Sequence, residues 1–180
     1  MLQKIIAVVA MVCLCGFQQI RAHSRTSRTE REDISQAENA ILASLAVETS
    51  PRGASLCVEK PVACVGPERL ELAMSLIAAR NTPGSLRALA SLVRYKLDGA
   101  YAEDYDALVI QKGTAIQPFL VALSPKRLHE TCKKEFAQLM GSSASALGEV
   151  REEYVCRTEE SIASDVRLTL DAIRHHRQPE

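Results

Sequence analysis

Apolar positions recur every three to four residues through most of this chain, a spacing that predicts helices almost end to end. Ile34, Ala37, Ile41 and Leu45 form one stripe, which stops before the breaker Thr49-Ser50-Pro51-Arg52-Gly53. Leu70, Met74 and Ile77 form a second stripe, opened by Pro67, a residue suited to the first helical position, and closed near Asn81. Thr82 is placed to cap a third helix with Pro83 in its first turn. Leu86, Leu89, Ala90, Val93 and Leu97 would line its face, and Gly99 would end it. A fourth helix is expected from Ala100 to Lys112, closing at Gly113.

Gln111 to Leu123 reads QKGTAIQPFLVAL. Gly113 ends one helix there, Thr114 is the expected cap of the next, and Pro118 falls in or just past its first turn, where little hydrogen bonding is lost. The face would be Ile116, Phe119, Leu120 and Leu123. A shift of 30 residues lays Leu86, Leu89, Ala90 and Val93 onto those four positions. A period of this size suggests stacked helical hairpins of the HEAT type, and an irregular helical domain explains the same faces. Ser124-Pro125 starts a sixth helix with Leu128, Cys132, Phe136 and Leu139 on one side. Gly141 to Glu149, GSSASALGE, reads as a loop or frayed start. Thr158 or Ser161 would cap a last helix carrying Ile162, Val166, Leu170 and Ile173. No stretch alternates with period two long enough for a strand. The expected class is all-α, with seven to eight helices in a HEAT-like hairpin stack.

The N-terminus changes the compartment. Lys4, the apolar run Ile5 to Phe17 and a cleavage site after Ala22 read as a secretory signal peptide, the run being too short for a transmembrane span. The organisation is then a signal peptide at 1–22, a solvated leader at 23–33, one helical domain at 34–176 and a tail at 177–180. Loss of Lys4 and Arg21 leaves 20 of the 22 basic residues against 22 acidic ones, a balance that favours neither nucleic acid nor an anionic membrane. The cysteines that remain are Cys57, Cys64, Cys132 and Cys156. An even number in an exported chain points to two disulfides. The favoured pairs are Cys57–Cys64 and Cys132–Cys156, although sequence leaves cross-pairing open.

Catalytic and cofactor motifs are missing. There is no HExxH, no Cys/His ligand spacing for a metal, no glycine-rich phosphate loop and no GxSxG elbow. His129 is expected on the exposed side of the sixth helix, and His175-His176 in a solvated tail. No cofactor, no metal and no enzymatic activity are expected. The distinctive stretch is Tyr95 to Val109, YKLDGAYAEDYDALV. It gathers Tyr95, Tyr101 and Tyr105 beside Asp98, Glu103, Asp104 and Asp106. Tyrosine offers large contact area at modest entropic cost and acids steer a basic partner, so these seven residues are the candidate partner-binding set. The competing reading puts Tyr101 and Tyr105 in the core.

The stretch from Cys57 to Phe136, above all the paired cysteines, LVRYKLDGAYAEDY and QKGTAIQPFL, resembles exported helical immunity proteins of bacterial polymorphic toxin systems. The resemblance implies a periplasmic protein that binds and sterically blocks a cognate protein toxin, without turnover. A non-enzymatic periplasmic scaffold or adaptor is the alternative. The resemblance transfers no binding residue, so the candidate set rests on side-chain chemistry.

Overall fold

The structure is a computed structural model that describes residues 28–50, 52 and 67–176. The segments assigned to the signal peptide and the tail, and both Cys57 and Cys64, lie outside these residues. Among the described residues the chain is all-helical. Helix α1 covers 28–48. It is followed by α2 (Pro67–Ala79), α3 (Pro83–Ser91), α4 (Ala100–Lys112), α5 (Gln117–Val121), α6 (Pro125–Leu147), α7 (Glu152–Val155) and α8 (Glu159–His175). Up to Ser35 the chain forms a separate unit, and Gln36 onward forms the other. The described part of the first unit is helical from residue 28, inside the stretch expected to be leader, with Arg28 Nε 3.2 Å from Glu32 one turn on.

In the larger unit the apolar stripes turn inward as the periodicity requires. Ile41, Leu45, Leu70, Met74, Ile77, Leu89, Ile116, Leu120, Ile162 and Ile173 are all buried. Helix α2 packs on α3, α3 on α5, α6 on α8, and α8 also on α4 and α5. Thr82 caps α3 in a reciprocal box: Ser85 N donates to Thr82 Oγ1 at 3.2 Å, and Thr82 N donates to Ser85 Oγ at 3.1 Å. A cap of this kind contributes about 1 kcal/mol.

Four boundaries differ from the sequence reading. Helix α3 stops at Ser91, tightens into a 3-10 turn over Leu92–Arg94, and becomes extended at Tyr95, which forms an isolated antiparallel bridge with Cys156. Leu97 is buried, but from this extended link rather than from a helix face. Gly99 precedes α4 with φ +54°, and Gly113 follows it with φ +47°; both turns need glycine because a Cβ disfavours that backbone. Thr114 is exposed inside a 3-10 turn (Gly113–Ala115), and the cap position of α5 falls to Ile116. The serine-rich segment is helical: α6 runs on to Leu147 and ends at Gly148. Helices α3 and α5 contain 9 and 5 residues, and this inequality leaves a regular HEAT-type repeat unestablished. Cys132 and Cys156 form the expected disulfide, which ties α6 to the residue after α7.

Candidate interaction site

The interior of LVRYKLDGAYAEDY is built around a buried cation. Arg94 is 2% exposed at the end of the 3-10 turn, where the helix has given way and its side chain can reach both neighbouring helices. Its Nη2 lies 3.1 Å from Glu38 Oε1 of α1, and its Nε lies 3.1 Å from Glu135 Oε2 of α6. Nη2 also donates to Glu135 Oε1 at 3.2 Å, and Nη1 donates to the Ser91 carbonyl at 2.9 Å. The Tyr95 hydroxyl donates to Glu135 Oε2 at 2.8 Å, and the guanidinium sits 4.4 Å from the Tyr95 ring centre. Burial pulls the Arg94 pKa down, but Tyr95, Glu38 and Glu135 more than offset that pull and hold it above its ordinary value. Burial, opposed by Arg94, pushes the Tyr95 hydroxyl up. This network joins α1, α3 and α6, and it removes Tyr95 from the candidate binding surface.

Helix α4 carries the rest of the candidate set, and the structure sorts it. Tyr105 is buried against the core, as the competing reading held, while Tyr101 is partly exposed. Glu103, Asp104 and Asp106 are exposed along α4, and Asp98 is exposed in the link before it. Burial first, then the charges of Glu48, Glu71 and Asp104, push the Tyr101 hydroxyl upward. The helix stands as a ridge between two hollows. On the α2 side, Glu71, Met74, Asp104 and Leu108 border a hollow of about 460 Å³. On the α8 side, a cavity of about 150 Å³ is lined by Tyr95, Leu97, Tyr105, Asp106, Arg157, Asp165 and Leu168.

Several of these residues carry no signal in the sequence. Arg157 pairs with Asp165 one helical element away, and its Nε donates to the Tyr95 carbonyl at 3.0 Å. Burial lowers its pKa, opposed by Tyr105 and Asp106. Burial raises the Asp106 carboxyl, opposed by Arg157. An arginine embedded in the apolar Leu92-Val93-Arg94-Tyr95 run could have flagged a buried cation, but no spacing rule names Glu38 or Glu135 as its partners. His129 also departs from expectation: it is half-buried, and its Nδ1 donates to the Arg157 carbonyl at 2.8 Å. Among the described residues no group of three or more His, Cys, Asp or Glu side chains is placed to hold a metal ion. No described helix is long and apolar enough to cross a membrane.

The site therefore combines a buried ionic network between α1, the turn after α3 and α6 with a row of exposed acids on α4. Residues 36–135 match the family described as Immunity protein 57. The chain belongs to that family. The matched interval reaches into α1, further than the sequence resemblance extended, and it contains Glu38, Arg94, Tyr95 and Glu135; Arg157 and Asp165 lie beyond it. Protein YibV of Escherichia coli strain K12 is 32% identical over 96 residues, covering 53% of this chain and 86% of that protein. Protein YibV of Escherichia coli O157:H7 is similar to the same extent. No solved structure matches the chain.

Proposed function

We propose that this chain is a periplasmic immunity protein that neutralises a cognate protein toxin by occupying its surface. The observation that carries the reading is family membership over residues 36–135, an interval that includes the whole acidic ridge of α4. The Cys132–Cys156 disulfide and the first 22 residues, which read as a signal peptide, favour an oxidising, exported setting. The binding surface is Asp98, Tyr101, Glu103, Asp104 and Asp106, with Tyr95 and Tyr105 supporting it from inside. Acids on an exposed helix speed encounter with a basic partner and fix its register. Steric blockade needs no turnover, cofactor or metal.

The test is competition between kin. A strain lacking the gene is expected to be killed by its parent in mixed culture, and the exported wild-type chain is expected to restore survival. Glu103→Lys with Asp104→Lys is expected to abolish protection while the melting temperature stays nearly unchanged, since both side chains are exposed. Survival of the unprotected strain beside its parent would refute the immunity reading. Undiminished protection by the charge-reversed chain would refute the surface assignment.

A further inference from the structure

Tyr105 is fully buried, and among the described residues its hydroxyl has no hydrogen-bond partner. Such a group is destabilising and rare enough in folded proteins to need a reason. Tyr105 lines the cavity between α4 and α8, whose volume is about 150 Å³. A single water needs only about 10–15 Å³ of such space, so the cavity is much larger than a trapped water requires. The charges around it do not balance. Arg157 is engaged by Asp165 and by the Tyr95 carbonyl. Asp106 makes no hydrogen bond or ion pair among the described residues, which leaves one negative charge in surplus. Leu168, 62% exposed, adds apolar surface at the same cavity.

We propose that this cavity receives a basic side chain, an arginine or lysine of the toxin, with its stem along Leu168 and its cationic head at the Asp106 carboxylate, where a small shift of the Tyr105 ring would open the buried hydroxyl to it. This rests on the immunity reading for the identity of the partner. The chemistry follows from the lining: long basic side chains lay their methylenes on apolar surface and seek a carboxylate with their heads. An anionic group would meet Asp106 and Asp165, and the cation available to it, Arg157, is already paired. The acidic ridge outside would draw the basic segment in, and the cavity would anchor one residue of it, as a buried anchor does at the centre of an interface.

The test needs no toxin. The isotope-labelled chain is titrated with Nα-acetyl-arginine amide, and with Nα-acetyl-glutamine amide as the uncharged control, while amide NMR shifts are followed. Saturable shifts at Tyr105, Asp106, Leu168 and Thr169 with the arginine probe, absent with the control, would support the proposal. Asp106→Asn should weaken that binding roughly tenfold or more, the scale of one charge-assisted hydrogen bond. Tyr105→Phe should weaken it several-fold in a chain that remains folded by its amide spectrum. Absence of saturable shifts at these residues, or undiminished binding by Asp106→Asn, overturns the proposal. Because the probe replaces the toxin, a chain that binds the probe but fails to protect refutes the immunity reading alone, and a protecting chain that ignores the probe refutes the cavity alone.

Discussion

Arg94 and Glu135 stand 41 residues apart in sequence and meet through two contacts, Nε to Oε2 at 3.1 Å and Nη2 to Oε1 at 3.2 Å. The two-pronged geometry fixes the angle as well as the distance between the end of α3 and the middle of α6. The side chain of Arg94 is 3% exposed and that of Glu135 is 27% exposed, so the two partners would suffer differently from the loss of the other.

Glu135→Ala leaves a buried guanidinium with only Glu38 to compensate it. The expected loss is about 3 kcal/mol, toward the lower end for breaking a buried pair because Glu38 remains. Arg94→Met removes the buried charge itself and leaves two carboxylates that can still reach water, so it should lose less. Urea unfolding of both variants decides the order. A larger loss for Arg94→Met would show that the network serves the carboxylates rather than the cation.

Tyr105→Phe removes a buried hydroxyl that has no partner among the described residues. The expected outcome is a gain of about 1 kcal/mol, because the desolvated group is no longer left unmatched. Calorimetry would show a raised melting temperature. A fall would mean that the hydroxyl is bonded in solution.

The Cys132–Cys156 bridge closes a loop with a sequence separation of 24. Chain-entropy arguments assign such a loop about 3.5 kcal/mol as an upper figure. Replacing both cysteines with alanine should therefore lower stability by about 3 kcal/mol, and a reducing agent should destabilise the wild type more than the double variant. Equal sensitivity of the two proteins would place the reducible link elsewhere.

Glu48 carries a pKa prediction with a definite sign. Burial first, then Asp98, raises its carboxyl above the ordinary value. The folded state therefore holds the proton more tightly than the unfolded chain does. This contribution to stability is fully present below the ordinary carboxyl range and is lost as pH rises through the raised value. Glu48→Gln, which stays neutral, should raise the melting temperature more at about pH 7 than at about pH 4. A gain of the same size at both values would contradict the shift.

Much of the framework can be read along the chain. Ile41 and Leu45, Leu70, Met74 and Ile77, and Ile162 and Ile173 were all identifiable from spacing, because helical periodicity is a property of neighbours within a turn or two. The Thr82 and Thr158 caps are local in the same sense: each side chain accepts from a backbone amide three residues on. The pairing of Cys132 with Cys156 was a choice among a few connectivities, and the tertiary structure made it.

What the sequence determined by itself is therefore the helical class, most of the inward faces, and a concentration of acids between Asp98 and Asp106. Each of these depends on residues close together in the chain. Only the tertiary structure decided that the third helix breaks at Ser91, that Tyr95 belongs to an ionic network, and that Tyr105 ends beside a cavity with no hydrogen-bond partner among the described residues. The physical reason is one of range. A side chain reveals its own polarity and period, but whether it meets water, a carboxylate from 41 residues away, or nothing depends on how distant helices pack.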